Sequence, residues 1–261
     1  MSARLPFSPA PLLERPFDHE LTQLAMGLRK VVKREFVSPQ SLTEVRGLGW
    51  YARVVEGNYD VAPNSPEVRP GAHADYCTVF FGEQAAVDKA CLLEPIERGK
   101  RGDDRREAMA GLGTLLGYPG CCVAAYLDQL EQGEDASFAR LFAAGPLEGA
   151  PRWNNLFVLS HALISHFPCT LACEVTAELA GATWSHLADA DEERGTAVAN
   201  LLASPITVWD RFRFIIEHPE HGPLTANQID GSPHLLSHGP LASFVESLDA
   251  KPPGGVRLQF R

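Results

Sequence analysis

Two short stretches, LGYPGCCVAAY at Leu116–Tyr126 and HFPCTLACE at His166–Glu174, constrain this chain more than anything else in it. Each puts a proline just ahead of cysteines, and a proline ends one helix yet is well tolerated in the first turn of the next. The pattern predicts helix starts at Cys121 and Cys169, with Cys169 and Cys173 one turn apart on a single helix face. The first turn of a helix presents unpaired N–H groups and the positive end of the macrodipole. Thiolate is favoured over thiol there, and thiolate is the form that binds metals or attacks electrophiles.

Four thiolates, from Cys121, Cys122, Cys169 and Cys173, are the number that holds a [4Fe–4S] cluster, a [2Fe–2S] cluster or a zinc ion. Side chains of consecutive helical residues diverge. The adjacent pair therefore departs from the C-x(2–4)-C spacing usual for zinc, while Cys169 and Cys173 fit it. A cluster is larger than one ion and accepts adjacent cysteines more easily. An iron–sulfur cluster, [4Fe–4S] first, is accordingly the expected cofactor, with zinc as the alternative. Two other readings stay open: metal-free redox thiols, and four buried small side chains, since unmodified cysteine is among the most buried residue types.

Around these four, His166 could donate a hydrogen bond to a sulfur, replace a ligand, or meet the end of a helix dipole. Cys91 reads as core packing, and Cys77, in a strand-like run, as core or ligand. Glu174 reads as a helix-start carboxylate, with a general base as the rarer account. In the tail, His218, His221, His234 and His238 have the outline H-x2-H-x12-H-x3-H. Four imidazoles without cysteine or carboxylate are unusual for structural zinc, so this part reads as a loop.

The segments GYPGCCVAAY and HFPCTLACEVTAELA resemble the paired motifs Gly-Tyr-Pro-x-Cys-Cys and His-x-Pro-Cys-x-x-x-Cys of an uncharacterised prokaryotic family whose function is unknown. The likeness implies that Cys121, Cys122, Cys169, Cys173 and His166 belong to one site, and implies no reaction. A looser similarity is to the cysteine-rich domains of heterodisulfide-reductase-like proteins, which set a single cysteine, a Cys-Cys pair and a later CxxC around an iron–sulfur centre. Cys77, the Cys121–Cys122 pair and Cys169–Cys173 would take those parts. The chain departs from that pattern in its CxxxC and in having Val123 where a glycine follows the double cysteine.

The rest of the sequence bounds the fold and the function class. With 261 residues, 45% of them apolar and 21% charged, the chain can bury a large core. The expected fold class is α+β: a helix-dominated single globular unit over residues 18–261 with a small antiparallel sheet, preceded by a proline-rich arm at residues 1–17. Helices are expected at 18–36, 83–97, from 105 to 116, and at 121–132, 136–143, 154–166, 169–188 and 192–203. Strands are expected at 49–56, 75–81, 206–216 and 256–260.

A net charge of −10 argues against nucleic acid as a partner. The basic runs at Arg29, Lys30, Lys33 and Arg34, and at Arg98, Lys100, Arg101, Arg105 and Arg106, read as solvated faces. Prolines at positions 6, 9 and 11 interrupt the apolar start, and no apolar run reaches membrane-spanning length. These features predict a cytoplasmic protein without a membrane partner, in a compartment where disulfides are disfavoured. There is no GxxxxGK[ST], no GxGxxG after a strand, no GxSxG and no HExxH. What remains is an expected iron–sulfur enzyme acting on an unidentified small molecule or redox partner. A non-catalytic zinc-binding scaffold and a thiol redox protein are its alternatives.

Overall fold

A glycine decides how the first helix ends. The structure, a computed structural model, describes residues 18–37, 39–61, 68–70, 76–99, 102–129, 139–141, 147–158, 162–209, 214–218, 222–224 and 255–261. Helix α1 covers His19–Ala25 and does not run on to residue 36. Gly27, at φ +71°, stops it. The Gly27 amide donates to the Leu24 carbonyl and the Leu28 amide to that of Gln23, the paired bonds of a Schellman cap. Val31–Val37 then form strand β1. Val31 and Val32 are both fully buried, in different clusters on either side of the sheet. A strand buried on both faces reads as a continuous apolar run, which is why its sequence passes for more helix.

The chain divides into two compact units, Glu20–Ser137 and Met1–His19 with Phe138–Arg261. In the first, helix α2 spans Pro39–Gly47 and strands β2, β3 and β4 span Tyr51–Val61, Val68–Pro70 and Tyr76–Gly82. The sheet is antiparallel in the order β1-β4-β2-β3, with Val32 opposite Phe81 and Arg53 opposite Phe80. Alternation along β4 sends Phe80 to one face, with Val31 and Val55, and Val79 and Phe81 to the other. Each large side chain sealed in this way contributes about 1.5–3 kcal/mol.

Helix α3, Gln84–Gly99, meets the Phe80 face through Ala86, Val87 and Ala90, and α4, Asp103–Leu115, packs beside it through Leu112. Glu94 of α3 is wholly buried, with Lys33 Nζ 3.1 Å away. Burial by itself would lower the Lys33 pKa, but the charges of Glu35 and Glu94 outweigh it and hold the ammonium above its ordinary value. Arg29 is likewise buried, against Glu20 and bidentate on Gln23, and Arg34 pairs with Glu20. Part of the basic run at 29–34 is therefore internal and neutralised. Helix α5, Gly120–Leu127, follows α4 and packs against it.

In the second unit strand β5 is Leu147–Ala150, followed by a 3₁₀ turn at Arg152–Asn154. Helices α6 and α7 are Glu174–Ala190 and Glu192–Leu202. Strands β6, β7, β8 and β9 are Ile206–Val208, Phe214–His218, Gly222–Leu224 and Val256–Phe260. The sheet order is β5-β9-β6-β7-β8, antiparallel except for the parallel pair β5–β9. The stretch expected to be one strand at 206–216 is two, paired with Ile206 opposite Ile216 and Val208 opposite Phe214; all four side chains are buried. Asp191 ends α6 and caps α7, its carboxylate accepting from the Arg194 amide at 3.0 Å.

The helix expected at 154–166 does not form in the described part of that range. After the 3₁₀ turn Asn155 is extended, and its side-chain oxygen accepts from the Phe157 amide two residues on, a local bond that competes with helix. Phe157, Val158, Ala162, Leu163 and Ile164 are all buried, without helical periodicity. The indoles of Trp153 and Trp184 stack with centroids 4.8 Å apart, and the Trp184 N–H donates to the Gly195 carbonyl. The fold is α+β and helix-dominated, with one antiparallel and one mixed sheet. Expectations for residues 1–17, most of 136–143, and His221, His234 and His238 fall outside the described residues.

Candidate metal centre

The GYPGCC segment is assembled by its own backbone. Helix α4 ends in a second Schellman cap: Gly117, at φ +76°, donates to the Thr114 carbonyl and Tyr118 to that of Gly113. The stop is therefore made by Gly117, two residues ahead of the proline that the sequence suggested. Pro119 is instead the N-cap of α5, its carbonyl accepting from the Cys122 and Val123 amides. A Cβ at Gly117 would stand 2.8 Å from Cβ of Arg29 and 3.0 Å from the Leu28 carbonyl oxygen. Only glycine can hold this left-handed turn so close to the end of α1.

Cys121 and Cys122 thus occupy the first turn of α5, the former exposed and the latter buried. Their sulfurs are 3.9 Å apart. The expected divergence of consecutive side chains does not keep them from converging, because neighbouring Cα atoms are only ~3.8 Å apart. At the other end of α5, Arg106 donates to the Leu127 carbonyl at 2.7 Å and to the Asp128 carboxylate at 2.9 Å. A cation placed there complements the dipole that favours thiolate at the opposite end.

HFPCTLACE is organised differently. Helix α6 begins at Glu174, not Cys169; Cys173 is its N-cap and Cys169 lies in the turn before it. The Cys173 amide donates to the Thr170 carbonyl, and the carbonyls of Leu171 and Cys173 each accept from Asn154 Nδ2 at 2.9 Å. The segment up to Cys173 forms a turn, and the Cys173 carbonyl also accepts from the Ala177 amide as α6 begins. Cys169 is half-buried and Cys173 buried. His166 is half-buried, its Nε2 3.1 Å from the buried Thr176 hydroxyl.

All four sulfurs, of Cys121, Cys122, Cys169 and Cys173, lie within 4.8 Å of one another, close enough to hold a metal ion. Among the described residues this is the one cluster of at least three potential ligand side chains, and His166 is not part of it. None of the six cysteines is in a disulfide. The remaining two are a contrast. Cys77, whose thiol lies 3.5 Å from the Val37 carbonyl oxygen, and Cys91 are both pushed by burial above the ordinary thiol pKa, despite Arg46 near the first and Arg53 near the second. Neither is presented as a ready thiolate.

Asn154 is the contributor that the sequence did not reveal, because its reach to residues 171–173 is not local. Gly117 did carry a signal: a glycine directly after a helical run, with a proline two residues on. No helix among the described residues is long and apolar enough to cross a membrane. No family model, no curated protein and no solved structure matches the chain.

Proposed function

We propose that this is a zinc-binding protein in which Cys121, Cys122, Cys169 and Cys173 hold one ion as a closed tetrathiolate. The observation that carries the reading is the mutual approach of the four sulfurs to within 4.8 Å. A zinc bound at about 2.3 Å by four thiolates sets their sulfurs about 3.8 Å apart. The 3.9 Å between Cys121 and Cys122 is close to that spacing. Thiolates on the corners of a [4Fe–4S] cube stand about 6 Å apart, wider than this set. Four sulfur ligands leave no open position for substrate, which favours a structural metal over a catalytic one. The helix start at Cys121–Cys122 and the cap at Cys173 offset part of the charge that four thiolates bring together.

The iron–sulfur reading draws its support from the likeness to cysteine-rich cluster domains and from the exposure of Cys121, which could yield its place to a substrate at an open iron. Anaerobic purification, followed by metal and acid-labile sulfide analysis per chain, separates the two. The expected result is a colourless protein with one zinc per chain and no labile sulfide, and a Cys169→Ser variant that retains little metal. A brown protein with iron and sulfide in equal amounts would replace zinc by a cluster. Absence of any stoichiometric metal, with all four thiols titrating as ordinary cysteines, would remove the metal site altogether.

A further inference from the structure

We infer that Asn154 is a positioning residue for the cysteine turn, and that its carboxamide sets the geometry in which Cys169 and Cys173 receive a metal. Asn154 is wholly buried in the 3₁₀ turn. Its carboxamide nitrogen donates twice to the cysteine segment, to the Leu171 and Cys173 carbonyls at 2.9 Å each. Its Oδ1 is buried with no hydrogen-bond partner among the described residues. An unpartnered buried acceptor opposes folding. An apolar side chain would avoid that penalty but would supply no donor, so what the position gains from asparagine is the N–H pair.

The two carbonyls lie on either side of Ala172, and the second belongs to the helix cap itself. Holding both from one rigid group fixes the path of the backbone from Leu171 into the first turn of α6. It thereby fixes where the Cys173 side chain leaves the chain. Outer groups that orient metal ligands typically influence affinity by about 10- to 100-fold.

The neighbouring residue supplies the control. Asn155 is equally buried, but its carboxamide is engaged elsewhere, donating to the Leu202 carbonyl at 2.8 Å and accepting from the Phe157 amide. Losing either asparagine disturbs the same 3₁₀ region; losing Asn154 alone releases the turn.

The inference rests on the proposed metal site, and its test is arranged to separate the two. Full-length wild type, Asn154→Ala and Asn155→Ala are titrated with Co2+, whose sulfur-to-metal charge-transfer and d–d bands report the ligand geometry. Loaded proteins are then mixed with a chelator to time metal release. The expected result is release about 10- to 100-fold faster from Asn154→Ala, with altered d–d bands, and wild-type bands and release from Asn155→Ala. Equal behaviour of the two variants, or wild-type behaviour of Asn154→Ala, overturns the inference.

Should the wild type bind no Co2+, the metal proposal fails by itself. The positioning role is then read without metal, from the alkylation rates of Cys169 and Cys173 measured by mass spectrometry. These should rise in Asn154→Ala and stay unchanged in Asn155→Ala, and a rise in both or neither would overturn it. If Asn154→Ala does not fold, Asn154→Leu, which fills the site with a similar volume but supplies no donor, takes its place under the same criteria.

Discussion

Cys121 and Cys122 owe their position to their immediate neighbours in the chain, whereas the turn that carries Cys169 and Cys173 is held by side chains far from it in sequence, Asn154 on the Leu171 and Cys173 carbonyls and Arg140 on that of Pro168. The first pair follows a helix stop, a left-handed glycine and a proline cap, all within six residues of Cys122. The second pair sits in a turn whose carbonyls are held from Asn154. Two segments that look alike on paper, each a proline followed by cysteines, thus reach helix starts by different means. One form of control is local and rigid by steric necessity; the other is as secure as a pair of buried hydrogen bonds.

If the first segment depends on backbone sterics, its glycines should differ sharply in their tolerance. Gly117→Val should cost about 3 kcal/mol in urea unfolding, since it adds a branched Cβ at φ +76° against the backbone of Leu28 and Arg29. A loss below about 1 kcal/mol would mean that the turn can relax, and the distinction between the segments would weaken.

Arg106→Met removes the clasp at the far end of α5 while keeping the aliphatic stem. It should cost about 1 kcal/mol, because the arginine is half-exposed and mainly serves one helix end. A larger effect, measured in the same way, would show that α5 is held chiefly from its C-terminus.

The smallest effect belongs to Gly120, where an added Cβ would meet nothing within 4 Å. Gly120→Ala should shift stability by no more than about 0.5 kcal/mol. A loss comparable to that of Gly117→Val would erase the contrast within the GYPG stretch.

Much of the architecture could be read from residues alone, and the exceptions have physical causes. The strand at Tyr76–Gly82 and the helices at Gln84–Gly99 and Glu192–Leu202 have patterns that match what they bury, and they appear where expected. The helix expected across 18–36 was misled by Val31 and Val32, whose burial on opposite faces of a sheet leaves no period to distinguish strand from helix. The helix expected at 154–166 was misled by a continuous apolar stretch in which Asn155 redirects the backbone. The four cysteines stood out because proline marked them. Asn154 did not, because a side-chain donor acting on carbonyls many residues away leaves no local trace.

The paired indoles of Trp153 and Trp184 give the second segment a built-in optical gauge. One ring belongs to the 3₁₀ turn that carries Asn154, the other to the helix that Cys173 caps, and their centroids are 4.8 Å apart. Chromophores stacked at that range share their excited states, so any parting of turn and helix changes the near-ultraviolet dichroism. The protein can therefore announce the loosening of its own cysteine turn, with no dye attached.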